Sequence, residues 1–233
     1  VKDTTLKYLF NSTKRRPQGN EIAPGISFET LQAHELILLL KAVNQLSLNL
    51  TVFYQELSDQ ITRNNDPGAL NAFVNTGGQV NKGVEWDAKY QPLEDLLLYW
   101  NGSVNSARVK VVTNGDTEPH NSTNEPLFVP ALTTFLGGEY NVMRWFKANL
   151  GLRVVYGIPY LTAGLQEDKK SVYFVDLTLR KEEIIKGLDV SLVALNLLDN
   201  RSRVPAFGEH AGNTTGTLAP EGRRFFGRVS MNW

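Results

Sequence analysis

A hydrophobic alternation of period two recurs along nearly the whole chain, and it limits the possible folds more than any other feature. In "LSLNLTVFY" (46–54), Leu46, Leu48, Leu50, Val52 and Tyr54 share one side, opposite Ser47, Asn49, Thr51 and Phe53. "GVEWDAKY" (83–90) sets Val84, Trp86, Ala88 and Tyr90 against Glu85, Asp87 and Lys89. The same rule runs through "LLLYWNGSV" (96–104), "FKANLGLRVVY" (146–156), "YFVDLTLR" (173–180), "LDVSLVA" (188–194) and the closing "RRFFGRVSMNW" (223–233). Weaker members lie at 4–10, 30–41 and 131–140; the second, "TLQAHELILLLK", is apolar on both faces. The pattern predicts an all-β chain of about ten strands in the class of 9–11 residues, the length a tilted strand needs to cross a bilayer.

No charged residue falls on the apolar side of the clear strands. The other side carries Glu85, Asp87, Lys89, Lys147, Arg153, Asp176, Arg180, Asp189 and Arg228. A soluble β-sandwich also alternates, with its apolar side turned inward, so alternation leaves the two open. The connections discriminate better. Short links at 42–45, 91–95, 141–145 and 181–187 alternate with long ones at 11–29, 58–80, 107–130, 158–170 and 198–222. Tight turns on one rim and long loops on the other describe an antiparallel, up-and-down transmembrane β-barrel. Eight aromatic residues of the apolar side fall at the two strand ends. Tyr90, Tyr140, Phe146 and Trp233 lie at the short-turn rim, and Tyr54, Tyr156, Tyr173 and Phe225 at the long-loop rim. Rings at both ends form the pair of interfacial girdles expected of such barrels.

Composition removes several other functions. The 24 acidic and 24 basic residues balance, which argues against a nucleic-acid partner. The absence of cysteine excludes disulfides and thiolate metal sites. His34, His120 and His210 have no metal-site spacing, so no metal and no cofactor is expected; His34 is placed near a barrel rim and the other two in long loops. The run "LILLL" (36–40) is far too short for a spanning helix. The opening "VKDTTLKYLF" has no initiator Met and is unlike a secretory signal, so a mature, trimmed or partial chain is expected.

Several stretches, taken in order, resemble the C-terminal half of a TonB-dependent outer-membrane receptor. "APGISFETLQAHELILLLK" resembles the family's proline- and glutamate-containing entry into a strand, and "LSLNLTVFYQELSDQIT" the strand that closes on aspartate and isoleucine. "NTGGQVNKGVEWDAKYQP" is similar to its "N-x-G … GVE" stretch, "LDVSLVALNLLDNRSRVP" to its "NLFDKxYxxP" segment, and "GRRFFGRVSMNW" to its closing strand. Leu198 stands where Phe is usual, Ser202 where an aromatic is common, and Trp233 where Phe is more frequent. The resemblance implies that residues 1–233 are the C-terminal part of a barrel of roughly twenty-two strands whose plug and first strands lie outside this chain. It implies a bacterial outer-membrane location in contact with lipid. It further implies uptake of a scarce nutrient such as a ferric siderophore, powered through the TonB energy-coupling complex by way of the plug. It also implies that the terminal strand, through Phe225, Val229, Met231 and Trp233, is the mark read by the barrel assembly machinery.

No nucleophile motif is present, and "NGS" (101–103) lies in mid-strand, so no catalytic residue is expected. Glu85, Asp87, Arg153, Asp176, Arg180 and Arg228 are expected to face the lumen, lining water, holding a plug or marking a polar path. Capture of a small ligand such as a metal chelate is assigned to the long loops, with Arg201, Arg203, Glu209 and His210 as candidates. Two other readings stay open at this point: a complete ten-stranded outer-membrane hydrolase with its site at the loop rim, and a soluble β-sandwich binding module.

Overall fold

Antiparallel pairing of consecutive strands dominates the computed structural model, which describes residues 3–43, 45–63, 72–110, 129–142, 146–161, 167–202, 204–205, 217–218 and 221–231. The strands are β1 (Asp3–Arg15), β2 (Glu29–Val43), β3 (Leu46–Arg63), β4 (Phe73–Leu93), β5 (Leu96–Lys110), β6 (Leu132–Val142), β7 (Phe146–Leu161), β8 (Glu167–Ile185) and β9 (Leu188–Leu195), followed by β12 (Arg224–Met231). They form one ten-stranded sheet in strict sequence order, β1 to β9 and then β12. A two-stranded ribbon, β10 (Val204–Pro205) with β11 (Thr217–Leu218), interrupts the path to β12. The ten strands lie in one sheet rather than in two packed layers, which sets the sandwich aside. Among the described residues β1 and β12 are not paired with each other, so the sheet is an open arc of wall.

The register shows why period two produces this arc. Directly paired residues share a face, and one such row reads Tyr8, Leu36, Val52, Val84, Val104, Leu132, Tyr156 across seven strands. Another reads Leu46, Tyr90, Leu98, Gly138, Leu150, Leu177, Ala194, Phe225. Among the described residues this face meets no other layer of protein: Leu150, Tyr156, Tyr173, Phe225 and Val229 are all exposed. A water-soluble fold would have to cover it, whereas a bilayer covers it directly. The expected girdle residues Tyr54, Tyr90, Tyr140, Phe146, Tyr156, Tyr173 and Phe225 are exposed on it, and Trp233 lies outside the described residues.

Both kinds of connection are present. Adjacent strands are closed by Glu94–Asp95 and by Lys186–Gly187, and Gly187 takes φ 80°, a left-handed conformation that the turn needs and a side chain resists. The long connections are shorter than their sequence suggests, because the strands run well beyond the apolar band. β3 reaches Arg63 and β4 starts at Phe73, so most of 58–80 is hairpin, and β7 and β8 likewise extend into 158–170. Beyond the band no bilayer demands an apolar outer face, so the backbone ladder persists while the alternation that reveals it fades. A bulge between Val155 and Ile158, with Gly157 at φ 69°, resets the facing of β7. Inward apolar residues then become buried at this end: Ala107, Val109, Ile158 and Val172.

Candidate functional site: the concave wall

The polar face of the sheet is concave. A hollow of about 520 Å³ spans β3 to β7 on that side, lined by Asn49, Thr51, Glu85, Asp87, Asn101 and Arg153, among others. A second, of about 330 Å³, shares Thr51 and Glu85 and adds Glu35, Gln55 and Asn81. The six sequence-predicted lumen residues all take this face. One row carries Asn49, Asp87, Asn101, Phe135, Arg153 and Phe174 in direct register.

Charges on the wall fall into two groups. Arg153 bonds Asp176 at 3.1 Å and lies over the Phe174 ring, 5.9 Å from its centroid. Nearer the short-turn rim, Arg180 bonds Asp189 at 2.6 Å, and Lys147 meets Glu182 at 3.0 Å. These pairs are satisfied within the wall. By contrast, Glu85 and Asp87 are exposed in the hollow and have no ion-pair partner among the described residues. Arg228 is also exposed, opposite Ser191 on the same face. Two buried acceptors, Asn81 Oδ1 and Asn141 Oδ1, lack a hydrogen-bond donor among the described residues. Asn141 lies at the short-turn rim, whereas Asn81 lines the hollow with Glu85, so the wall around Glu85, Asp87 and Asn81 offers acceptors to whatever fills the lumen.

Sequence reading missed the aromatic shelf of the concave face. Phe53 lies over Gly83, Tyr99 over Gly137 and Phe135 over Gly151. A β-carbon at Gly137 would come within 2.3 Å of the Tyr99 ring, so glycine is what allows the ring to lie flat on the wall. Tyr99 and Phe135 then stack at 5.6 Å, and the Tyr99 hydroxyl bonds the Asn149 amide. The signal is invisible along the chain, because ring and glycine meet only through strand register.

At the long-loop rim, residues 196–200 tie three segments together. Asn196 and Asp199 hold φ 50° and 52°, a region that Asn and Asp tolerate better than most residues. The buried Asn196 amide donates to Asn200 O (2.9 Å) and Glu221 O (3.2 Å), and its Oδ1 accepts from Asn200 N. Asp176 Oδ1 accepts from Asn196 N, Asn200 Nδ2 donates to Tyr173 O, and Asp199 Oδ1 accepts from Arg223 N. The backbone N–H of Arg223, reinforced by Arg201, holds the Asp199 carboxyl below its usual pKa. β8, β9 and the lead into β12 are fixed to one another at this point. Arg201 sits on the outside of the knot, bonded to Asp199 at 3.1 Å and otherwise exposed. Arg203, Glu209 and His210 lie outside the described residues, as does His120. His34 is near a rim as expected, on the outer face, with its Nδ1 2.8 Å from the Tyr8 hydroxyl.

An open arc with an apolar outer face, a polar concave inner face and girdles at both ends is part of the wall of a transmembrane β-barrel. A family model described as "TonB dependent receptor-like, beta-barrel" matches residues 15–197, and the chain belongs to that family. Its members are bacterial outer-membrane receptors and not enzymes, which sets the hydrolase reading aside. No curated protein matches the chain. Among solved structures, the chain is similar to the ferric-catecholate import receptor Fiu from Escherichia coli K12, with TM-score 0.77 at 14% identity, covering 99% of this chain and 33% of that one. It is also similar to the FrpB iron transporter from Neisseria meningitidis, with TM-score 0.76 at 18% identity, covering 99% and 37%. For the siderophore receptor PiuA from Acinetobacter baumannii, the values are TM-score 0.72 at 17% identity, covering 98% and 33%. The chain spans about a third of the length of these structures.

Proposed function

We propose that residues 1–233 form the C-terminal wall of a receptor that takes up a scarce nutrient, such as a ferric siderophore, across the outer membrane. The observation that carries this reading is the acceptor-rich concave face around Glu85 and Asp87, which suits a wide lumen filled by a plug. Solved structures of similar fold include receptors and transporters of iron or its chelates. In this reading the plug docks on the wall, engages the TonB complex and is supplied by other parts of the protein. The ligand enters from the long-loop side, where Arg201, Arg203, Glu209 and His210 are the candidate contacts. The test is uptake of radiolabelled ferric chelates by cells carrying or lacking the full-length protein, with and without the proton-motive force. Energy-dependent uptake that requires the protein is expected; unchanged uptake of every chelate tried would sink the proposal. Substituting Arg201 with Ala should weaken ligand binding and leave the quantity of protein in the membrane unchanged.

The closing strand has a separate role in this reading. Phe225, Val229 and Met231 pair with Ala194, Val190 and Leu188 on the apolar face. With Trp233 they form the mark by which the barrel assembly machinery recognises the chain. Changing Trp233 to Ala in the full-length protein is expected to cut the folded, heat-modifiable fraction in the outer membrane more than it changes ligand affinity. Unimpaired assembly would count against that role.

A further inference from the structure

The Asp176 carboxylate is shared between the lumen and the long-loop rim. Its Oδ2 accepts from Arg153 Nη2 at 3.1 Å, and its Oδ1 accepts from Asn196 N at 2.9 Å. Arg153 lines the larger hollow with its side chain half exposed, whereas Asp176 is mostly covered. Asn196 opens the knot. Its backbone carbonyl accepts from Asp199 N at 2.8 Å, and its Oδ1 accepts from Asn200 N at 2.9 Å. The Asp199 carboxylate in turn holds Arg201 at 3.1 Å and Arg223 N at 2.9 Å. A cation of the lumen is thus joined to a cation of the outer mouth through Asp176, Asn196 and Asp199.

The short-turn rim contains the same device without such a far end. Asp189 accepts from Arg180 Nη2 at 2.6 Å and from Glu183 N at 3.0 Å, so a wall arginine orients a carboxylate that orients a turn. There the arginine has a second carboxylate, Glu182 at 3.5 Å. Arg153 has Asp176 as its one ion-pair partner among the described residues, with the Phe174 ring beneath it. A charge-assisted bond from a planar guanidinium fixes the rotation of the carboxylate it meets. Without that bond the Asp176 carboxylate is free to turn toward water, and Oδ1 is no longer aimed at Asn196 N. Within this chain of bonds, the Arg153–Asp176 pair is the link that an occupant of the hollow reaches first.

We propose that Asp176 is a positioning residue for Arg201, and that the Arg153–Asp176 pair reports the state of the lumen to the mouth. The inference rests on the reading of Arg201 as a ligand contact. An anionic group entering the hollow competes with Asp176 for Arg153. The carboxylate then loses its orientation, the 196–200 turn loosens, and Arg201 is no longer held beside Asp199 and Gly222. Coupling of this kind is reciprocal, so a ligand that fixes Arg201 strengthens the Arg153–Asp176 pair. The two sites oppose each other: an anion that has passed from the mouth into the hollow weakens the site it left.

The test is hydrogen exchange in the full-length protein in lipid nanodiscs, read at 196–202. Arg153→Ala and Asp176→Asn should each speed exchange there by about threefold, the effect of a partly exposed ion pair. Asp176→Asn keeps an acceptor for Asn196 N, so its effect reports the pair rather than the loss of that bond. The double variant should be no faster than either single one, and Arg153→Lys should recover part of the protection. Arg180→Ala is the control: it should speed exchange at 183–187 and leave 196–202 unchanged. Heat-modifiable migration checks that each variant has folded. For a radiolabelled ferric chelate that the protein takes up, Arg153→Ala should raise the half-saturating concentration by a similar factor. Unchanged exchange in folded Arg153→Ala, additive effects of the two single variants, or no recovery by Arg153→Lys overturns the relay. Faster exchange with an unchanged half-saturating concentration overturns the positioning of Arg201 for ligand. If the unaltered protein takes up no ferric chelate, the uptake reading fails, and the exchange rates still decide the relay.

Discussion

Asn196 shows how much of this wall depends on single side chains. It is buried, holds a left-handed backbone conformation, and its amide group both accepts and donates. Asn196→Asp keeps the acceptor and tolerates the backbone but loses the donations to Asn200 O and Glu221 O. Asn196→Ala loses both and is expected to cost roughly 1–3 kcal/mol, with Asp in between. Hydrogen exchange at 196–202 and 221–224 in the folded barrel measures the effect, and equal protection in all three proteins would remove the knot from the account. Gly137 makes the opposite demand. Gly137→Ala drives a β-carbon into the Tyr99 ring and should cost about 1–3 kcal/mol. Adding Tyr99→Ala to the same chain should restore part of that loss, a coupling that a double-mutant cycle detects. Neither residue was legible in its role from sequence. "NLLDN" stood out by family resemblance alone, and the Gly137–Tyr99 contact exists only once β5 and β6 are in register.

Among the elements, the β1–β2 connection is the most firmly held of the described long-rim links. Arg15 bonds Glu21 and Glu29 together, and Glu29 also accepts from Ile61 N at 2.7 Å. Asn75 bridges Ser27 and Asp59 O, and Arg16 lies over Phe28. Hydrogen bonds from Arg15 hold the Glu21 and Glu29 carboxyls below their ordinary pKa of 4.5, and the same bonds raise that of Arg15. Because the folded pKa values are lowered, the clasp contributes its full stability above the unfolded carboxylate pKa. It loses that stability as pH falls through the lowered values. Protection of 16–28 against limited proteolysis should therefore be constant from neutral pH down to about 5 and should fall below about 4. Protection that fell instead between pH 8 and 6 would assign the link to another group. This cluster was not readable beforehand, because its partners are 6, 14 and 32 positions apart and meet only through pairing of three strands. The strands themselves were readable wherever a bilayer demands an apolar outer face. Their extensions at 55–63 and 73–82 were not readable from alternation, because nothing outside the band enforces it; the family resemblance alone carried β3 to Thr62.

At the scale of the molecule, everything rests on which face of the sheet is wet. Leu150 on β7 and Thr178 on β8 lie at nearly the same height on opposite faces: Leu150 pairs with Leu177, and Thr178 with Asn149. Leu150 is 54% exposed, with nothing among the described residues covering it, and its row is apolar from Leu46 to Phe225. Leu150→Arg places a cation near the middle of the hydrocarbon and should cost roughly 2–4 kcal/mol in the bilayer. Thr178→Arg places the same cation among Lys147, Glu139 and Asn149 on the concave wall, where water or a plug solvates it, and should cost under about 1 kcal/mol. Urea unfolding of the full-length protein in lipid vesicles, followed by heat-modifiable migration, ranks the two. A water-soluble sandwich would give the same order, because its apolar face is buried in a core, so the ranking tests which face is wet rather than what covers the dry one. Finding Thr178→Arg the more damaging would overturn the assignment of faces, and with it the lumen residues and the girdles.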